Sequence, residues 1–463
     1  MVSASRFALR ARIVLPVSRP PIHDGAVFIS GNRITAVGPW RELQAQADGP
    51  VTDLGEVILL PGLINAHCHL DYTGMGGAIP QQRSFVDWIN WITSFKAEWE
   101  YSDFAASWLG GAQMLLRNGV TTVADVEAVP ALLPEVWQAT PLRVISFLEM
   151  TGVKSRRDPA QILREALDTV ESFAGWRNTL GLSPHAPYST TPELLRLAGA
   201  AARGRGLPLM THVAESAEEF EMAMLGRGGM HDWLRRNDRD MADCGGVSPV
   251  QQLERTGLLC DRLLAIHANY LTTGDAARLG RSGASVVHCP RSHAFFGHRR
   301  FPLEELAMAG VNLCLGTDSL ATLTAPENPA RSMNFIVQNL LPPNAPSGDA
   351  GPRAQRRWTP RGDGTDSVEL NLWVEMRAFA NAYRALAAED IVRMVTVNAA
   401  RALRRGGELG ELVPNALADL IAVPFDGQTG AAYEACLAQT GAVGGVMIDG
   451  CWARVPGSAP LSA

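Results

Sequence analysis

From Leu59 onward short apolar stretches alternate with helical ones, and that alternation constrains the fold more than any other feature of the sequence. The strand candidates are Val57 to Asn65, Val120 to Asp125, Leu142 to Leu148, Thr179 to Ser183, Leu209 to Thr211, Leu263 to Ile266, Ser285 to Val287 and Asn312 to Leu315. Helical patterns such as Pro159 to Phe173 and Thr191 to Arg205 lie between them. Strands that alternate with helices build parallel α/β folds. Eight βα units over about 260 residues match a closed (β/α)8 TIM barrel, whereas an open doubly wound sheet rarely uses eight in succession.

The ends of the chain have a different texture. Residues 1–56 hold short strands and turns such as Ile29-Ser30-Gly31-Asn32, and strand signals return at Leu420 to Val423 and Val446 to Ile448. The expected organisation is a barrel over 57–406 and a small β-sandwich domain made jointly by 1–56 and 407–463. Between Ala325 and Asp366 the chain turns rich in Pro, Gly, Asn and Arg, which reads as a surface excursion after the eighth strand.

Composition excludes several classes of function. With 46% hydrophobic and 19% charged residues the chain is globular rather than disordered. A net charge of −6 gives no basic face for nucleic acid. No apolar run is long enough to span a bilayer. Arg6, Arg10 and Arg12 interrupt any signal-peptide core, so the expected location is cytoplasmic. The seven cysteines are scattered without a C-x-x-C pair, which argues against a disulfide framework. Neither lysine, Lys96 or Lys154, follows the glycine of a P-loop.

Catalytic groups of a (β/α)8 barrel project from the C-terminal ends of its strands, and that is where the ligand-type residues fall. His67 and His69 end the first strand candidate, an i, i+2 pair that a strand places on one face, with Cys68 turned away. His212 ends the fifth strand, with Glu215 three residues on; His267 ends the sixth, His288 the seventh, and Asp318 follows the eighth. Taken singly, a histidine at a strand end is more often a satisfied structural residue, and an aspartate there more often a helix N-cap. The whole set at the ends of a barrel's strands points instead to one metal-centred site.

Pro61-Gly62-Leu63-Ile64-Asn65-Ala66-His67-Cys68-His69 resembles the signature of the amidohydrolase superfamily. His212-x-x-Glu215, His267, His288-Cys289-Pro290-x-Ser292 and Gly316-Thr317-Asp318 resemble the branch that holds cytosine, guanine and S-adenosylhomocysteine deaminases and triazine hydrolases. The resemblance implies that His67, His69, His212 and Asp318 bind one divalent metal, and that Glu215, His267 and Asp318 are catalytic. Binuclear relatives bridge two ions through a modified lysine on the fourth strand. Here that strand reads Thr179-Leu180-Gly181-Leu182-Ser183, so one ion is expected, with zinc placed ahead of iron and manganese. His185 is expected to face substrate, as its counterpart does in nucleoside deaminases, and His288 and Arg156 are further substrate-contact candidates. The chain departs from the branch at His293, where Asn is common.

Such an ion makes water nucleophilic near neutral pH. Asp318 could take a proton from that water, His267 could hold it, and Glu215 could carry a proton to a ring nitrogen and then to departing ammonia. That division of labour fits deamination of an amino-heterocycle. Arg156 and Arg157 after strand three, with Arg291, His293, His298, Arg299 and Arg300 after strand seven, suggest an anionic group on the substrate. Phe147-Leu148-Glu149-Met150-Thr151-Gly152 and His185-Ala186-Pro187-Tyr188-Ser189 resemble segments of deaminases acting on 5′-extended adenosines. The expected substrate is therefore a small molecule, an adenine nucleoside of the aminodeoxyfutalosine, S-adenosylhomocysteine or methylthioadenosine type, the first being preferred for its carboxylate. The competing readings are a guanine- or cytosine-type base deaminase, a triazine-type chloro- or amide hydrolase, and a binding protein that kept the barrel and lost the metal. All six of His67, His69, His212, Glu215, His267 and Asp318 are present, which speaks against the last. A homodimer is expected, since barrels of this kind often pair.

Overall fold

The computed structural model describes residues 6–153, 157–323 and 368–455. The excursion expected over 325–366, and Arg156, lie outside the described residues. Eight parallel strands stand in chain order: Leu63–Cys68, Val120–Glu127, Arg143–Met150, Thr179–Pro184, Leu209–Val213, Leu263–His267, Ser285–His288 and Asn312–Leu315. We refer to them as the first to eighth barrel strands. The eighth closes on the first through a bridge between Cys68 and Asp318, with the amides of Thr317 and Asp318 donating to the His67 carbonyl at 3.1 and 3.2 Å.

Both faces of these strands are buried, which is why they read as continuous apolar runs rather than alternating ones. Ile64, Val126, Phe147, Met210, Leu264 and Val287 fill the barrel's interior. Phe147 is accommodated because the fourth strand offers Gly181 opposite it; a Cβ there would lie 2.6 Å from the Phe147 ring. Truncating a buried phenylalanine of this kind costs about 3–5 kcal/mol. The other side of the strands packs on the surrounding helices through a larger cluster that includes Trp108 and Trp373.

Local signals set the helix ends. Pro159–Ser172 starts with Pro at its first turn and Asp158 as N-cap, the side chain accepting from the Gln161 amide at 3.2 Å. Such a cap is worth about 1 kcal/mol. Pro192–Arg205 is capped by Thr191 and ends on Gly206 at φ 72°, a left-handed position that favours glycine.

The run read as one strand from Val57 to Asn65 is two. Val57–Pro61 pairs antiparallel with Leu420–Pro424 and parallel with Arg6–Val14, in a separate mixed sheet built by both ends of the chain. Leu63–Cys68 belongs to the barrel. The chain passes between them at Gly62, where a Cβ would lie 2.1 Å from the Thr121 hydroxyl. The two parts are tied by Arg143, which opens the third barrel strand and reaches Asp419 at 3.1 Å and Asp449 at 2.7 Å.

Candidate active site

Six side chains named from the sequence converge at the C-terminal end of the barrel: His67, His69, His212, Glu215, His267 and Asp318, all buried. The first strand turns His67 and His69 into the cluster and Cys68 into the outer core, as the i, i+2 spacing implies, with a register shift between Asn65 and Cys68. His267 and Asp318 sit at φ 74° and 55°. Non-glycine residues held in the left-handed region cost about 1–3 kcal/mol and concentrate at functional sites. Asn65 supports the eighth-strand loop, donating to the Thr317 hydroxyl at 2.8 Å and accepting its amide at 3.1 Å.

The ring nitrogens face one another. His69 Nε2 and His212 Nε2 are 3.3 Å apart. Asp318 Oδ1 lies 3.6 Å from His67 Nε2 and 3.8 Å from His69 Nε2. His212 Nδ1 is 2.9 Å from the His185 carbonyl, a contact that places its proton on Nδ1 and leaves the Nε2 lone pair for the site. Burial, followed by neighbouring imidazoles, holds His67 and His69 well below the usual histidine range; burial and then His185 bring His212 down to about 4. Burial also works on Asp318, in the opposite sense, yet His267, His69 and a Ser292 hydrogen bond outweigh it and keep that carboxyl low.

These are the properties of a cation site. Neutral imidazoles and an ionised carboxylate meet within reach of one another: the donor atoms of His67, His69 and His212 lie within 4.8 Å, as do those of His67, His267 and Asp318. Among the described residues, His67 Nε2 and His267 Nε2 are buried without a hydrogen-bond partner. Three imidazoles with one carboxylate suit a divalent transition ion.

Glu215 stands beside this cluster, with Oε1 3.4 Å from His267 Nε2. Burial first, then the charges of Asp318 and Glu219, raise its carboxyl well above the usual range. Glu219, which the sequence reading does not single out, accepts the Glu215 amide at 2.7 Å and is itself pushed up to about 7 by burial. Its signal in the sequence is the capping pattern Ser216-x-x-Glu219: Ser216 accepts the Glu219 amide at 3.1 Å. Asn269 is a second residue that sequence reasoning misses; it donates to the Glu215 carbonyl at 3.0 Å.

His185 lies half-buried next to the cluster, its ring 4.6 Å from that of His212, with Nδ1 2.7 Å from the Ser189 hydroxyl. Tyr72 stacks on His69 at 5.2 Å. Over the mouth, Phe85, Trp88, Tyr188 and Phe296, from segments after the first, fourth and seventh strands, form an aromatic wall with ring separations of 5.1–6.1 Å. His288 is set apart from the six: its ring stacks on Phe301 at 4.1 Å and meets His293 edge-on. The described loop arginines have partners as well. Arg157 pairs with Glu165, Arg300 with Glu304, and Arg291 with buried Glu375 at 2.5 Å. Arg299 lies 4.8 Å over the Tyr270 ring.

A barrel that gathers imidazoles and a carboxylate at its strand ends, beside a glutamic acid of raised proton affinity, defines a metal-dependent hydrolase. The chain belongs to the amidohydrolase family, whose sequence profile matches residues 58–453. A 5-methylthioadenosine/S-adenosylhomocysteine deaminase of Syntrophobacter fumaroxidans is 30% identical over 87% of this chain and 80% of its own length. An aminodeoxyfutalosine deaminase of Deinococcus radiodurans is 30% identical over 64% of this chain and 72% of its own. Among solved structures, the Helicobacter pylori aminofutalosine deaminase in complex with methylthio-coformycin superposes with a TM-score of 0.78 at 18% identity, covering 96% of this chain and 99% of that one. An adenosine deaminase from Xanthomonas campestris with bound zinc gives 0.76 at 22%, covering 98% and 93%. At those identities the two structures speak for the fold.

Proposed function

We propose that the chain is a hydrolytic deaminase of adenine nucleosides extended at the 5′ position. One observation carries the reading: Glu215, whose proton affinity burial raises well above the usual carboxylate range, stands 3.4 Å from His267 beside the imidazole cluster. The relatives named above, which act on such nucleosides by their names, support it.

His67, His69, His212 and Asp318 would hold a single divalent ion, zinc by preference. When bound, such an ion supplies Lewis-acid chemistry that makes water nucleophilic near neutral pH. Asp318, kept ionised in the site, accepts a proton from the attacking water, and His267 orients that water by hydrogen bonding. Glu215 donates its proton to a ring nitrogen, which makes the adjacent carbon electrophilic. The water oxygen then bonds to that carbon; Glu215 takes the remaining hydroxyl proton and delivers it to the leaving amine as the C–N bond breaks, so that ammonia departs and a ring carbonyl remains, and the proton held by Asp318 restores Glu215. His185, in reach of the same space, contacts the substrate.

Ammonia release measured as kcat/KM across aminodeoxyfutalosine, S-adenosylhomocysteine, methylthioadenosine, adenosine and guanine tests the proposal. The 5′-extended nucleosides should exceed adenosine and guanine by at least tenfold. Preferential turnover of guanine, or of a chlorotriazine, would overturn it.

A further inference from the structure

Glu215 is held from behind by buried Asn269 and half-buried His293, polar groups that the chemistry above does not use. Its carbonyl accepts from Asn269 Nδ2 at 3.0 Å, and Asn269 Oδ1 lies 3.1 Å from His293 Nδ1. Asn269 is 1% exposed. Its own amide donates to the Ala214 carbonyl at 2.9 Å, so both ends of the residue grip the segment that carries Glu215. Ala214 and Ala268, at φ 51° and 49°, are both in the left-handed region, and the two sharply turned loops lock together through Asn269.

The protonation pattern follows from the geometry. A carbonyl can only accept, so the Glu215 oxygen requires Asn269 to present its NH2 group there. The amide oxygen then faces His293, whose Nδ1 must carry the proton. Burial, working against the nearby Arg299 carbonyl, holds His293 down to about 4, so the ring is neutral and that one proton is committed to Asn269. His293 thus fixes the Asn269 amide, and Asn269 fixes the Glu215 main chain. The residue occupies the position where the resembling branch commonly has Asn, a side chain that can also donate.

We propose that Asn269, oriented by His293, is a positioning residue that sets the aim of the Glu215 carboxyl between His267 and the substrate ring. The inference rests on Glu215 being the proton shuttle. A displacement of about 1 Å in a reacting group costs roughly a hundredfold in rate, so loss of the clamp should lower kcat by ten- to a hundredfold, with KM moving less than threefold.

The test is a double-mutant cycle read by single-turnover kinetics on the metal-loaded enzyme, with methylthioadenosine as substrate and metal content and melting recorded for every variant. Asn269→Ala should slow wild type as stated and have less than a threefold effect in the Glu215→Gln background, because the group it aims has lost its proton-transfer role. His293→Phe, which removes the donor, should reproduce the defect, while His293→Asn should restore at least half of the wild-type rate. Should Asn269→Ala fail to melt cooperatively, His293→Phe takes its place in the cycle. Equal rate losses in both backgrounds, or no loss in wild type, would overturn the inference. Near-normal turnover by Glu215→Gln alone would instead refute the shuttle reading beneath it.

Discussion

His69 and His212 point their Nε2 atoms at each other across 3.3 Å. Burial keeps both rings neutral, and the Nδ1 of His212 faces a carbonyl, so its Nε2 carries a lone pair. In the tautomer of His69 that carries its proton on Nδ1, both Nε2 lone pairs converge on one point, the arrangement a cation takes up. Elemental analysis of the purified protein should therefore return about one equivalent of a divalent metal, and His67→Ala or Asp318→Ala should lose most of it. Chelation should lower the melting temperature by several degrees, because binding free energy at a preformed site is also folding free energy. Two tightly held equivalents in active enzyme would defeat the mononuclear arrangement.

Closure of the barrel depends on a residue that only looks like part of a motif. At Gly316 a Cβ would lie 2.8 Å from the His67 carbonyl oxygen and 2.9 Å from its Cβ, and the eighth strand could yield only by drawing away from the first. Gly316→Ala should cost about 1–3 kcal/mol by overpacking and should weaken metal retention, since Asp318 rides on the displaced strand. Thermal melts with metal content measured alongside check this. A variant that melts like wild type and keeps its metal would show that the strands separate without strain.

The sequence exposed the barrel because strands buried on both faces are apolar throughout, and it exposed the ligand-type residues because a polar side chain ending such a strand stands out. Other features were hidden for physical reasons. Val57 to Asn65 reads as one strand since nothing in an apolar run marks Gly62 as the point where the chain changes sheets. Glu219 looks like an ordinary capping residue until the fold turns its carboxylate onto the Glu215 amide. Asn269 acquires its meaning from a carbonyl 54 residues away. The loop arginines show the same limit: Arg291 pairs with Glu375, 84 residues further on, and no local pattern announces that pairing.

Glu219 should leave a mark on stability against pH. Its carboxyl is raised from 4.5 to about 7, so between those values the folded chain keeps a proton that the unfolded chain has lost. Wild-type stability therefore falls as pH rises through that window, by up to about 3 kcal/mol from this group, at roughly 1.4 kcal/mol per unit. Glu219→Gln removes the dependence while retaining an oxygen for the Glu215 amide. The melting temperature of the variant relative to wild type, both metal-loaded, should rise from pH 5.5 to 8. A difference that stays flat or falls would mean that the charged form of Glu219 is not penalised in the fold.

The cations at the barrel mouth read in the sequence as contacts for an anionic substrate tail, and the fold gives two of the described ones, Arg157 and Arg300, acidic partners of their own. Arg157 is engaged by Glu165 and Arg300 by Glu304, in pairs whose side chains are about half exposed or more. Exposed pairs of this kind contribute little to stability, roughly 0–1 kcal/mol, but each arginine already has a carboxylate within reach, which offsets its attraction for a second one. Arg157→Ala and Arg300→Ala should accordingly change KM by less than twofold for a carboxylate-bearing nucleoside and for methylthioadenosine alike, with melting temperatures within a degree or two of wild type. The comparison between the two substrates is decisive. A rise in KM confined to the carboxylated nucleoside would show that the arginine leaves its acidic partner when substrate arrives, and would return the anionic contact to that loop.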